Sequence, residues 1–298
     1  MSEWSLNEAR SWARERLSAA GIASVDADVR ELLEWACDAS SQWSLPTRLN
    51  EEQAEKLRSG VGERALRIPL QYVTGRMFFR SLTLQSVPGV FIVRPETELL
   101  AGLAIDEAGA IVRERGEARV VDLCTGSGAI AFAVALEAAC TEVWAVEKEA
   151  DPFALACRNR DLVGARSVHL ERADATALAT LSHLDAMVDV VVTNPPYVPT
   201  DEMPTQPEAS ADPHVALYGG SSDGTAIPVR IIRRARTLLR PGGTLLMEHS
   251  PSQDAALRDA ARSAGFVDVE TLPDLVGRSR FLRARAPRST KPTASVTQ

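Results

Sequence analysis

Hydrophobic residues recur along this chain in two rhythms. Over residues 1 to 75 they fall three and four apart, with Ala9, Trp12, Ala13 and Leu17 in one stripe and Val29, Leu32, Leu33 and Ala36 in a second. That spacing lines up each set on one face of a helix. Ser5-Leu6-Asn7-Glu8 reads as a capping box opening the first helix. A second helix is expected from about Asp26 to Asp38 and a third from near Asn50-Glu51-Glu52-Gln53. From Arg76 to Val93 the pattern turns β-like: Phe78, Phe79, Leu82, Leu84 and Val90 flank the turn signal Pro88-Gly89, which predicts a β-hairpin linker over 76–95.

After Glu96 short apolar, β-branched runs alternate with longer helical stretches. Val188 to Thr193 is the purest of these runs, and near-continuous apolar character predicts a strand buried on both faces. Further strands are expected to end near Leu123, at Glu142 to Val146, and at Thr244 to Glu248. The alternation predicts an α/β fold, a doubly wound Rossmann-like sheet over 96–286. From Pro287 the chain is polar and rich in Pro, Thr and Ser, so residues 287–298 are expected to be a disordered tail. The helical region 1–75 carries no cluster of catalytic residue types and reads as a recognition domain.

Composition narrows this only a little. At 298 residues the chain has room for about two domains. No apolar run reaches the roughly 18 residues a membrane span needs, and Met1-Ser2-Glu3-Trp4 does not open like a signal peptide. Cys37, Cys124, Cys140 and Cys157 make no metal-ligand spacing and read as reduced thiols of a cytoplasmic protein, with no metal and no membrane partner. The net charge of −7 counts against a duplex nucleic-acid binder, which concentrates basic residues along a phosphate track.

Two motifs carry chemistry. Asn194-Pro195-Pro196-Tyr197 follows the buried strand, so it lies past a strand's carboxyl end, where open α/β sheets bind ligands. The prolines donate no backbone hydrogen bond and restrain the residues before them to extended geometry. What remains is a rigid pair of acceptors, the Asn194 side-chain oxygen and the Pro195 carbonyl, beside the Tyr197 ring. That set suits a planar group bearing an NH2, such as a carboxamide or an exocyclic base amine. The second motif runs Asp122-Leu123-Cys124-Thr125-Gly126-Ser127-Gly128, with a helix expected from near Ser127 through Ala139. Glycines admit a ligand close to the backbone, and Glu147, ending the next strand, can accept hydrogen bonds from both hydroxyls of a ribose. Alone, Gly126-x-Gly128-x-x-Ala131 also satisfies the dinucleotide fingerprint of an NAD-dependent dehydrogenase.

Together the motifs resemble the class I S-adenosylmethionine methyltransferases, and within them the HemK-type protein-(glutamine N5) methyltransferases of peptide chain release factors. Further segments carry the resemblance. They are Pro69-Leu70-Gln71-Tyr72-Val73-Thr74-Gly75, Arg94-Pro95-Glu96-Thr97-Glu98, Asp212-Pro213-His214 through Gly220, and the less specific Leu239-Arg240-Pro241-Gly242-Gly243. The resemblance implies S-adenosylmethionine as cofactor, with Cys124, Thr125, Gly126, Ser127, Gly128, Glu147, Asp174, Ala175 and Asn194 around it. It implies a release-factor glutamine, in a Gly-Gly-Gln loop, as the methyl acceptor. Asn194, Pro195, Pro196 and Tyr197 would bind the acceptor, with Phe91 as a second wall of its pocket; Asn194, Pro195 and Tyr197 would be catalytic.

Two departures stand out. Cys124 replaces the family's usual first glycine and should adopt an ordinary backbone conformation. Ala175 stands where an aromatic residue often covers the adenine, leaving its backbone N–H as the contact. An amide nitrogen is a poor nucleophile, so holding its two N–H groups on the Asn194 oxygen and the Pro195 carbonyl is the main task. No strong base is needed, and Tyr197 is expected to act through its ring. The other readings of these residues are a glutamine methyltransferase of a large-subunit ribosomal protein, an adenine-N6 methyltransferase acting on nucleic acid, and a non-catalytic binding module.

Overall fold

A computed structural model describes residues 4–202, 208 and 211–288. The chain start expected to lack a signal and most of the expected tail, residues 289–298, lie outside the described residues. Contacts divide the chain into two compact units: one ends at Met77 and takes in Ser86–Pro88, and the other holds the large sheet.

The first unit is helical. A short antiparallel pair, β1 (Trp4–Ser5) and β2 (Arg48–Leu49), accompanies α1 (Leu6–Ala19), α2 (Val25–Ala36), α3 (Glu51–Ala65) and α4 (Leu70–Thr74). Ser5 and Glu8 form the capping box at the start of α1, and Asn50 with Gln53 forms another at the start of α3. Both satisfy backbone N–H groups that a helix start leaves without partners. Ala9, Ala13, Leu17, Val29, Leu32, Leu33 and Ala36 are all buried in one apolar core, as the spacing predicts.

A hairpin follows, β3 (Arg76–Phe79) and β4 (Leu82–Gln85), and it turns at Arg80-Ser81 rather than at Pro88-Gly89. Arg80 accepts a left-handed φ of 52°, and its guanidinium donates to Glu137 at 2.6 Å. A long side chain anchored this way holds a turn that no glycine or proline marks, and Pro88-Gly89 falls in the connection beyond it. Phe79, Leu82 and Leu84 of the hairpin are buried, whereas Phe78 is 54% exposed.

The second unit alternates as expected: α5 (Pro95–Arg115), β5 (Ala118–Leu123), α6 (Ala129–Glu137), β6 (Thr141–Glu147), α7 (Ala150–Leu162), β7 (His169–Arg172) and β8 (Val188–Thr193). It continues with α8 (His214–Leu217), α9 (Ala226–Leu238), β9 (Leu239–Glu248), α10 (Asp254–Ser263), β10 (Val267–Pro273) and β11 (Ser279–Arg285). The sheet order is β10-β11-β9-β8-β5-β6-β7. Pairings are parallel from β9 to β7, and β11 runs antiparallel between β9 and β10. The expectation of a parallel sheet therefore holds except for that one strand. Every residue of β8 is buried, which accounts for its uninterrupted apolar run.

Two element starts differ from the sequence reading by more than one residue. α6 starts at Ala129, because Gly128 sits at φ 90°, outside helical geometry. β9 begins at Leu239, since Leu239 already pairs with Val188 and the Pro241-Gly242-Gly243 stretch is absorbed as an irregularity in the strand. Among the described residues no helix is long and apolar enough to cross a membrane.

Candidate active site

One row of the sheet assembles the site. Leu123 pairs with Val146 of β6 on one side and with Thr193 of β8 on the other, and Thr193 pairs with Met247 of β9. The residues directly after this row are Glu147, Cys124, Asn194 and Glu248, in that spatial order. Thr193 reinforces the alignment by donating its hydroxyl to the Leu123 carbonyl at 2.6 Å. Strand order reverses between β5 and β8, so their two exit loops diverge and leave a crevice at the carboxyl edge, the usual ligand position in such sheets.

On the β5–β6 side the contacts are made largely by main chain. The Gly126 N–H donates to Glu147 Oε2 at 2.9 Å, and the Glu149 N–H donates to Oε1 at 2.8 Å. Thr125 donates its N–H to the Val146 carbonyl and its hydroxyl to Asp122 Oδ2 at 2.5 Å. Glu147 thus braces the glycine turn. Burial raises its pKa, opposed by the backbone N–H groups of Glu149 and Gly126. Asp122, fully buried, is pushed up to about 7 by the same cause. A Cβ at Gly128 would strike the Phe132 ring at 2.1 Å, so that position admits glycine alone.

Cys124 corrects an expectation. It takes a left-handed φ of 65°, where a side chain is strained, rather than an ordinary conformation. Leu123 must end its strand pairing and the chain must turn at once toward Thr125, so the conformation belongs to the turn and not to glycine. Burial, with Glu147 and Asp122 nearby, pushes the thiol well above the usual range.

Asp174 accepts from the Thr176 N–H at 2.8 Å and from its hydroxyl at 2.6 Å, and Lys148 stands 3.4 Å from its other oxygen. Those bonds hold its pKa down. Ala175 packs its methyl into the apolar core, leaving its main chain as the part able to meet a ligand.

The β8–β9 side is built from side chains. Asn194 Nδ2 donates to Thr97 Oγ1 at 3.3 Å, Thr97 donates to Glu248 Oε2 at 2.8 Å, and Tyr197 donates its hydroxyl to Glu248 Oε1 at 3.1 Å. Thr97 comes from the first turn of α5 and Glu248 from the last position of β9, both buried. Burial raises Glu248 to about 7, against the bonds from Thr97 and Tyr197 and the charge of Arg280. The Tyr197 phenol is pushed up by burial and by Glu248. Its carbonyl accepts from Gln253 Nε2 at 2.7 Å, and Gly224 packs so closely that an added Cβ would lie 2.1 Å from that carbonyl. Pro195 and Pro196 lie between these two anchored residues.

Phe91 lies in the loop before α5, with the Arg94 guanidinium 5.2 Å from its ring centre. Arg94 pairs with Asp212, and the Ile92 N–H donates to the same carboxylate at 3.4 Å. The Asp-Pro-His segment is thereby tied to the loop that carries Phe91. Sequence reasoning assigned no role to Thr97, Glu248 or Asp212, although Thr97 and Asp212 lie in the segments that carry the resemblance. The signal for Glu248 was an acid closing an apolar strand next to Asn194's own strand.

A bound adenosyl group fits what surrounds the glycine turn. A Cβ built on Gly126 meets nothing within 4 Å, so the loop faces open space, and the buried Ser127 hydroxyl has no hydrogen-bond partner among the described residues.

Known proteins align with this chain over nearly its full length. A family model for a PrmC N-terminal domain matches residues 8–75, and one for a methyltransferase domain matches residues 114–273. The release factor glutamine methyltransferase of Bifidobacterium longum is 43% identical over 94% of this chain and 97% of its own. That of Streptomyces coelicolor is 41% identical over 92% and 95%, and that of Deinococcus radiodurans 34% identical over 92% and 95%. With such identity across both units, and a Rossmann-like methyltransferase sheet beneath the paired motifs, the chain belongs to the release factor glutamine methyltransferase family.

Proposed function

We propose that this protein methylates the side-chain amide nitrogen of a glutamine in the Gly-Gly-Gln loop of peptide chain release factors, in the cytoplasm, with S-adenosylmethionine as donor. The observation that carries the reading is the setting of Asn194. Its NH2 is committed to Thr97, so its oxygen is the end left to accept from an incoming amide. It emerges from the same sheet row as Glu147, two strands away.

When bound, S-adenosylmethionine supplies a methyl group on a positively charged sulfur. Glu147 would accept from the ribose hydroxyls, and residues 124–128 would line the donor, with the Asp174-Ala175 main chain at the adenine. The Asn194 oxygen and the Pro195 carbonyl would hold the two N–H groups of the glutamine amide and leave the nitrogen lone pair free. Positioning of this kind can remove roughly 7–11 kcal/mol of a barrier. The same acceptors stabilise positive charge developing on nitrogen, and they are fixed before reaction. The Tyr197 ring would confine the planar amide, Pro196 would stiffen the segment, and Phe91 would form the opposite wall. The helical unit would grip the body of the release factor, adding specificity beyond one side chain.

Transfer of labelled methyl from S-adenosylmethionine to purified release factor, large-subunit ribosomal proteins and DNA, run in parallel, tests this reading. Label on the release-factor glutamine is expected. Label confined to ribosomal protein or DNA overturns it.

A further inference from the structure

The chain of hydrogen bonds behind Asn194 has a direction. An ionised carboxylate only accepts, so both Thr97 and Tyr197 must donate to Glu248. Thr97 has a single proton; once it points at Glu248, the hydroxyl oxygen can only accept from Asn194. Asn194 must therefore turn its NH2 toward Thr97 and its oxygen the other way. The flipped amide would set its oxygen against the Thr97 oxygen with no proton between them. We propose that Glu248, acting through Thr97 and Tyr197, is a positioning residue that sets the hydrogen-bond polarity of the pocket receiving the substrate amide.

The placement of the groups supports this. Thr97 is 1% exposed and Glu248 also 1%, so water does not compete for these bonds. Three separate elements converge on Glu248: α5 supplies Thr97, the segment after β8 supplies Tyr197, and β11 supplies Phe281 as its strand partner. An ionisable side chain is costly to keep in such a place, and burial raises its pKa accordingly. An apolar residue there would pack a β9 end more cheaply, which marks the carboxylate as serving the site and not the fold.

This inference rests on the reading of Asn194 as acceptor for the reacting amide. Thr97→Val keeps the shape of the side chain and removes the hydroxyl, so Asn194 is free to flip. In the full-length protein with release factor and saturating S-adenosylmethionine, Thr97→Val should slow single-turnover methylation by about 10- to 100-fold, by analogy with loss of the partner that orients a metal-ligating residue. Cofactor affinity by calorimetry should stay within about twofold. Thr97→Ser keeps the hydroxyl and should restore most of the rate. Glu248→Gln, which can donate to Thr97 and reverse the chain, should be slowed like Thr97→Val with its melting temperature maintained at pH 8. If both variants methylate within twofold of the parent, or if their rates track only the folded fraction seen by circular dichroism, the inference fails and the release-factor reading stands. Should the parent methylate only another substrate, that reading fails, and the Val-against-Ser contrast on that substrate decides the inference.

Discussion

The two sides of the crevice reach the same sheet row by different means. On the β5–β6 side, Glu147 is held by backbone N–H groups of Gly126 and Glu149, and the ligand-facing surface is mostly main chain. On the β8–β9 side, Asn194, Thr97, Tyr197 and Glu248 hold one another by side chains alone. A backbone site tolerates changes of side chain so long as the turn survives, and Cys124 in a glycine's place is such a change. A side-chain network tolerates only changes that keep its donors and acceptors, because each proton has one assigned acceptor. On the proposed function, the main-chain half would be the cradle for the methyl donor, and the side-chain half would carry selectivity for a planar amide.

The largest expected effect breaks the side-chain half. Asn194→Ala removes a preorganised acceptor, which typically costs about 10²–10³ in rate, or roughly 2.7–4 kcal/mol. Single-turnover kinetics on folded, cofactor-saturated protein should show that loss.

Next comes the backbone half. Glu147→Ala deletes the proposed ribose acceptor and also releases the Gly126 N–H, and hydrogen bonds to a charged group contribute about 1.5–3 kcal/mol each. Calorimetry should find S-adenosylmethionine bound well over tenfold more weakly. Unchanged affinity, or tighter binding of NADH, would reverse the assignment.

The pH response sharpens the contrast. Glu248 and Asp122 both have folded pKa values raised to about 7 from the ordinary 4.5 and 3.8. Between those limits the folded state holds protons on these two groups that the unfolded chain has lost, so the stability they contribute falls as pH rises toward 7 and levels off above it. Catalysis should move the opposite way, since only ionised Glu248, with Arg280, Glu96 and Tyr197 as its titratable and charged neighbours, accepts from both donors. The single-turnover rate is expected to climb several-fold from pH 6 to 8, while the melting temperature of the parent falls relative to that of Glu248→Gln over the same range. Glu248→Gln should flatten the rate limb; a limb that persists unchanged assigns it to another group.

The smallest effects separate side chain from backbone most finely. Tyr197→Phe keeps the ring but takes a donor from Glu248, so a several-fold slowing is expected, against a severe loss for Tyr197→Ala. Cys124→Gly relieves a left-handed cysteine and should leave cofactor affinity unchanged, with stability altered by no more than about 1 kcal/mol.

Much of this was legible beforehand because periodicity and burial have a common cause. The β8 run announced a strand buried on both faces, and the stripes of α1 and α2 announced their core faces. The Arg80 turn was not legible, since it depends on Glu137 far along the chain, and neither was the left-handed Cys124, set by how β5 ends. Glu147 and Asn194 could be singled out because each closes a strand before or after a recognisable turn. Glu248 also closes a strand, but no turn motif marks it or Thr97, and their importance is a property of the register that brings β9 beside β8 and the start of α5 beside both. Local sequence carries motifs; hydrogen-bond polarity is a property of the assembled row.

One crossed measurement tests that division most directly: cofactor affinity and saturated single-turnover rate, each determined for Glu147→Ala and Asn194→Ala with release factor as acceptor. Glu147→Ala should lose affinity yet retain its saturated rate within about tenfold, and Asn194→Ala should lose rate with affinity changed by no more than about threefold. Equal loss of both quantities in both variants would show one undivided site and contradict the account.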